Sequence, residues 1–255
     1  MQQELQRLVD SMRAAASAAE AVERLRECGE VIGMRLPCAL NDVSGNRPVY
    51  DQEGRRIADI LGWPRWITDN WFDHAYVRQH PIYLRCRFEN MPFGDVYADL
   101  WKGLAVLSPA QQQMKKDVER LGVVAQITVP VHLALGRTAC VLWSTCEPAD
   151  LDGILASCSH HLLAIGHFFM EVMQPLHDQT AKARERELSY LSDRQIECLY
   201  WLANGKTIQD TALILEISAH TVRQHLRVIV ERLRAVNTVH AVALAAQFGI
   251  IGRLP

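Results

Sequence analysis

Hydrophobic positions recur at helical spacing over the first thirty residues. Leu5, Leu8 and Met12, then Val22 and Leu25, fall on one stripe, so Gln2 to Ile32 is predicted as a helix or two. Short extended runs follow at Met34–Leu40 and Pro48–Asp51, with Ser44–Asn46 as the turn between them. Trp66 to Gln79 is helical, and Pro81 opens a further helical turn. Ser108-Pro109-Ala110-Gln111 places a cap, a proline at the first helical position and a reciprocal Gln at the third, so a helix runs from here to Gly122. Val123–Leu133 and Arg137–Thr145 are two β-rich runs about a short turn, the pattern of a hairpin. Asp150 to Met173 is a long amphipathic helix. This order predicts an α+β front domain, an α-β-α sandwich around an antiparallel sheet.

The pattern changes after Gln174-Pro175. His177 to Glu187 is polar and charged, which makes 176–187 a linker between a front domain at 1–175 and a second domain at 188–255. The second domain is all-α, with four short helices. Ser192 caps the first, with Ile196, Leu199 and Leu202 inside, and Asn204-Gly205 ends it. Thr207 caps the second. Ser218 caps the third, in which Val222, Leu226, Ile229 and Leu233 face inward. That leaves His220, Arg223, Gln224, Arg227 and Glu231 outward, and Arg and Gln match guanine and adenine edges in the major groove. The fourth helix, Val239 to Phe248, has a smooth Ala/Val face suited to a second copy.

Charge supports the division. The chain of 255 residues carries −2 in all, but residues 1–180 carry −5 and residues 181–255 carry +3. A basic rear end suits contact with phosphates. Seven scattered cysteines without a CxxC pair support neither a disulfide framework nor a zinc ribbon. The N-terminus has no export pattern and the apolar runs are too short to span a bilayer, so a cytoplasmic protein with no membrane partner is expected. Cys158-Ser159-His160-His161 sets a nucleophile beside histidines. On a helix such neighbours point apart, so neither a catalytic nor a metal site is expected, and no cofactor is implied.

From Leu191 to Ile251 the chain resembles the LuxR/GerE-type helix-turn-helix. Leu191, Ser192, Glu197, Ala203, Gly205, Lys206, Ala212, Ile217, Ser218, Thr221, Val222, His225, Leu233 and Asn237 are among the matching positions. Thr211 (usually branched apolar), Glu216 (commonly Gly) and Thr238 (often Arg or Lys) depart from it. The resemblance implies Lys206 and Thr207 near the DNA backbone and Thr221, Arg223, Gln224 and Arg227 at bases or phosphates. Ser218 and His220 complete the expected interface.

The front domain resembles the autoinducer-binding domain of quorum-sensing LuxR proteins. Trp63-Pro64, Trp71, Tyr76, His80-Pro81-Ile82, Pro92-Phe93, Leu107-Ser108, Leu121-Gly122-Val123 and Val129-Pro130-Val131 keep its register. The departures gather where the resemblance places the signal. Trp63 and Trp71 replace tyrosines, Ile67 a tryptophan, His80 the aspartate that accepts the signal's amide N–H, Asp95 a tryptophan and Gln126 a glycine. With Tyr76 and Phe93 these are the expected ligand-binding residues. An ionised Asp only accepts hydrogen bonds, whereas His also donates and titrates near neutral pH. The pocket is thus expected to take a signal other than a standard acyl-homoserine lactone, or to be closed by its own side chains. A His80–Asp95 pair suited to a polar or acidic head group is the expected arrangement. The expected protein is a non-enzymatic, sequence-specific transcriptional regulator, a homodimer on a partly palindromic double-stranded site under a small-molecule signal. The alternative is a ligand-independent regulator or a heterodimerising antagonist of a true receptor.

Overall fold

Ser17 breaks the N-terminal apolar stripe in two: its hydroxyl accepts from the Glu20 N–H at 3.2 Å and starts a second helix. In the computed structural model α1 spans Gln2–Arg13 and α2 Ala18–Ile32, the latter closed by Gly33 at φ 74°. The structure describes residues 1–252 except 45–47, 52, 72–78, 103, 134–135 and 174–190, with the side chains of Asn70 and Trp71 also outside the description. The chain divides into two compact units, residues 1–133 with 137–177 and, separately, 178–255.

In the front unit β1 (Leu36–Leu40) is followed by α3 (Ile57–Ile60), α4 (Arg65–Trp71) and α5 (Pro81–Arg85). The expected second extended run at Pro48–Asp51 yields only an isolated bridge between Tyr50 and Arg56, because buried Asp51 accepts the Glu53 and Arg55 N–H groups and turns the chain. Then come β2 (Phe93–Val96), α6 (Tyr97–Leu100), α7 (Pro109–Leu121), β3 (Ala125–His132), β4 (Thr138–Thr145) and α8 (Leu151–Met173). The capping box at α7 forms as read: Ser108 Oγ accepts from Gln111 N at 3.2 Å and Gln111 Oε1 accepts from Ser108 N at 2.9 Å. The expected turn at Ser44–Asn46 and linker at 176–187 fall wholly or partly outside the described residues.

The strands form one antiparallel sheet in the order β1-β4-β3-β2. Side chains alternate across it. Ile127, Val129, Val131, Val141 and Trp143 turn towards α2 and α8. The Trp143 indole donates to Leu25 O at 2.9 Å, and Gly166 of α8 lies so close that a Cβ there would sit 2.8 Å from Val129 Cγ1. Helix α8 is apolar enough along its length to cross a membrane, but one whole face of it, from Cys158 to Met173, is buried in this core. The opposite face of the sheet carries Cys38, Phe93, Gln126, Thr128, Cys140, Leu142 and Ser144, paired in register across the strands. Three of those residues, Gln126, Thr128 and Ser144, are polar and almost fully buried. A polar strip inside a core marks the face that has something other than packing to do.

The rear unit holds α9 (Asp193–Ala203), α10 (Ile208–Ile214), α11 (Ala219–Arg232) and α12 (Thr238–Gln247) about their own core. Cys198, Leu199, Val222, Ile229, Ala241 and Ala245 are fully buried there.

Candidate functional site

In the rear unit Thr207 and Ser218 cap α10 and α11 as their sequence predicts, and Asn237 caps α12. Thr207 Oγ1 accepts from Asp210 N at 3.1 Å while Asp210 Oδ2 accepts from Thr207 N at 2.9 Å, and Thr207's bonds hold the Asp210 carboxyl below the usual range. Ser218 Oγ accepts from Thr221 N at 3.0 Å and lies 2.8 Å from Thr221 Oγ1. These hydroxyls set the angle at which α11 leaves the turn. Val222, Leu226, Ile229 and Leu233 are buried, as their spacing predicts. Lys206, His220, Arg223, Gln224 and Arg227 are all exposed. Gln224 and His220 are linked at 3.0 Å, one turn apart. Arg223 and Arg227 hold no ion pair among the described residues, so two guanidinium groups stand ready for an anionic partner.

Two departures from the helix-turn-helix pattern have physical costs. Thr211 is fully buried and its hydroxyl has no hydrogen-bond partner among the described residues. Glu216 sits at φ 54°, in the left-handed region where a side chain is strained and Gly is not. Thr211→Val is expected to stabilise the rear unit by about 1 kcal/mol by removing an unsatisfied buried group. Glu216→Gly should add up to about 1 kcal/mol. Urea unfolding of the full chain, followed by the melting of the rear unit, checks both; unchanged midpoints would contradict them.

In the front unit the expected ligand residues do not behave alike. Trp63 is buried and its single N–H donor goes to Pro37 O of β1 at 2.6 Å, which leaves it no donor for a ligand. Ile67 is fully buried. Trp71 ends α4, but its side chain, like all of Tyr76, lies outside the described residues. Phe93 lies under the Arg85 guanidinium, 4.1 Å from its ring centroid. Gln126 is 2% exposed and closes a chain of bonds: Tyr97 OH donates to its Oε1 at 2.8 Å, and its Nε2 donates to Thr128 Oγ1 at 2.7 Å.

The expected His80–Asp95 pair is not formed. Asp95 accepts from Arg85 at 3.1 Å, and that guanidinium, also bound to Glu89, outcompetes a neutral imidazole for a carboxylate. Burial nevertheless raises the Asp95 carboxyl, against the lowering effect of Arg85. His80 takes the N-cap position of α5, its carbonyl accepting from Leu84 N at 3.1 Å, but its side chain makes no capping bond. The residue is 2% exposed and neither ring nitrogen has a hydrogen-bond partner among the described residues. Three rings surround it: Tyr83 at 4.7 Å, Trp101 at 5.9 Å and Tyr97 at 6.5 Å between centroids. Burial pushes the imidazole down to about 3. His80 is therefore neutral, and the acidic head group that a charged His80 would favour is not what this arrangement suits.

An unpartnered buried polar group costs about 1–3 kcal/mol. His80→Phe, which keeps an aromatic ring in the same cage, is accordingly expected to raise the stability of ligand-free protein by roughly 1 kcal/mol or more. The unfolded imidazole takes a proton near 6.5, the folded one only near 3. As pH falls through that window the unfolded state gains a proton the fold refuses, and stability drops by up to about 1.4 kcal/mol per pH unit. Wild type should lose stability relative to His80→Phe between pH 6.5 and 4, and parallel melting curves over that range would contradict this.

Tyr83, Tyr97 and Trp101 were not among the residues expected at the site. Tyr97 stands two residues beyond Asp95 and Trp101 one helical turn further, which was the signal available. The Cys-Ser-His-His run on α8 turns inward on its own helix: Cys158 Sγ and Ser159 Oγ donate to the carbonyls of Ile154 and Leu155.

Residues 189–245 match the profile of the bacterial regulatory proteins of the luxR family, GerE. The transcriptional activator AhyR of Aeromonas hydrophila is 27% identical over 194 residues, 72% of this chain and 70% of that protein. The transcriptional activator BjaR1 of Bradyrhizobium diazoefficiens is 27% identical over 207 residues, 80% of each. SdiA of Escherichia coli superposes with a TM-score of 0.58 over 98% of both chains at 18% identity, a likeness of fold. The chain carries a LuxR-type helix-turn-helix domain at its C-terminal end, and its relatives are LuxR-family transcriptional activators.

Proposed function

We propose that the chain is a cytoplasmic, sequence-specific transcriptional regulator that binds a partly palindromic DNA site as a homodimer. It comprises a sensor domain at 1–175, a linker at 176–187 and a DNA-binding domain at 188–255. The observation that carries this reading is the exposed row on α11, with Arg223, Gln224 and Arg227 outward and Ser218 and Thr221 fixing the helix start. Lys206 and Thr207, at the start of α10, and His220 flank that row. A two-fold protein meets two half-sites about one helical turn apart. Selection from random duplexes, followed by gel-shift titration, tests it: the recovered site should be a partial inverted repeat. Recovery of no preferred sequence would overturn the reading.

The sensor takes a small molecule on the polar face of the sheet. Phe93, Asp95 and Gln126 line that face, with His80, Trp63, Ile67, Trp71 and Tyr76 as the further ligand residues. A neutral His80 at the position where the family carries a carboxylate supports a signal other than a standard acyl-homoserine lactone. A specific observation favours the second reading, a ligand-independent regulator or heterodimerising antagonist. Both polar atoms of the Gln126 amide already have partners within the protein, Tyr97 on Oε1 and Thr128 on Nε2. DNA affinity measured with and without an organic extract of the producing culture separates the two, a difference supporting the sensor.

A further inference from the structure

One contact near the start of α11 joins two exposed side chains. His220 is the second residue of the helix and Gln224 stands one turn on, with Gln224 Nε2 and His220 Nε2 3.0 Å apart. Chemistry fixes the direction of that bond. An amide nitrogen carries two hydrogens and accepts nothing, so Gln224 donates and His220 Nε2 accepts. The proton of the neutral imidazole then sits on Nδ1. The bond uses one amide hydrogen and leaves the other, with Oε1, for a second partner. One donor beside one acceptor matches adenine, whose major-groove edge shows the N7 acceptor and the N6 amino donor. Guanine shows two acceptors there, O6 and N7, and an amide with one N–H already committed cannot supply two donors. Without a partner the amide turns about its last side-chain bond, whose preferences are broad, and offers its two ends in either order.

Resting on the DNA-binding reading above, we propose that His220 is a positioning residue. Its Nε2 lone pair holds one N–H of Gln224, so that the amide meets an adenine edge in the major groove with Oε1 and its remaining N–H. His220 thus sets the base preference at one position of the half-site without touching that base. The end of α11 that carries the pair is the end a helix-turn-helix turns towards base edges.

Gel-shift titration of the full chain tests this, on the selected duplex and on duplexes carrying each of the other bases at every position of a half-site. Gln224→Ala should abolish an adenine preference at one position. His220→Phe, which keeps a ring but has no acceptor, should weaken the preference at that same position by about two- to tenfold, the cost of ordering one more side chain on binding. His220→Gln, which restores an acceptor, should retain most of it. In the Gln224→Ala background His220→Phe should change nothing further, because its effect passes through the amide. Both side chains are exposed, so all the variants should melt as wild type does. An unchanged preference in His220→Phe, a change at a different position from that of Gln224→Ala, or additive losses in the double variant overturns the proposal. So does a Gln224→Ala protein that keeps every base preference of wild type. In each of these cases the DNA-binding reading stands, since the wild type still selects its site. If the wild type selects no sequence, both fail.

Discussion

Trp143→Ala is expected to remove about 3–5 kcal/mol from the front unit, the range for deleting a fully buried aromatic side chain. Trp143 is 0% exposed on the central strand β4, and three things converge on it. Its indole N–H donates to Leu25 O at 2.9 Å, tying α2 to the sheet. Its ring fills the space that Gly29 leaves: a Cβ on Gly29 would lie 3.1 Å from the Trp143 ring and 2.6 Å from Met34 O. Its register partners are Ile127 and Pro37 on the two neighbouring strands. Removing the ring therefore opens a cavity under a helix that cannot collapse into it, since α2 is pinned by its own Gly33 turn. For a domain of this size the loss corresponds to roughly 2–4 °C per kcal/mol, so calorimetry should show the front transition lowered by about 10 °C. The rear unit, with a separate core, should melt where it does in wild type. Trp143→Phe refills much of the volume but leaves the Leu25 carbonyl without the indole, and should cost about 1–3 kcal/mol. A Trp143→Ala protein melting within 2 °C of wild type, or one whose two units shift together, would contradict this account.

The parts of the fold that were legible are those whose signal is local. The α7 capping box lies within Ser108–Gln111, and the α11 stripe repeats within one helix. The β3–β4 hairpin, too, is a single local unit of alternating residues. Strand β2 carries no local signal because it is four residues long, contains Gly94, and exists only by pairing with β3, some thirty residues later. The candidate site divides in the same way. His80, Asp95 and Gln126 stand out as unusual residues at their positions, but what each one bonds to depends on elements distant in sequence. The sequence suggests Asp95 as a partner for His80, but Arg85, ten residues away on α5, takes it instead. Gln126 finds Tyr97, twenty-nine residues away. Composition identifies which side chains carry chemistry; the competition for partners is decided by packing.

The outward face of α11 leads to the largest functional effect. Arg223 and Arg227 are one turn apart on the same exposed side, beyond the buried row Val222, Leu226 and Ile229. Neither is drawn into an ion pair among the described residues, in contrast to Arg194, which is held by Glu197 at 2.7 Å and by Leu215 O at 3.0 Å. Arg194 thus braces the turn between α10 and α11, whereas the exposed Arg223 and Arg227 are the groups proposed above to meet DNA. Each single substitution by Ala is expected to cost about 1–3 kcal/mol of specific binding, and the double variant, if the two add, about thirty-fold to about twenty thousand-fold. The pattern of loss distinguishes the roles. If Arg223 is bidentate to a guanine, Arg223→Ala relaxes preference at one position of the site and leaves binding to unrelated duplex nearly unchanged. If Arg227 meets a phosphate, Arg227→Ala weakens every duplex alike and lowers the slope of affinity against salt by about one. Because both side chains are exposed, neither change should move the melting of the rear unit by more than about 0.5 kcal/mol. Titration of wild type and the three variants on the selected site and on a scrambled duplex, at two salt concentrations, reads all of these at once. A double variant that binds the selected site within about twofold of wild type would remove α11 as the reading element.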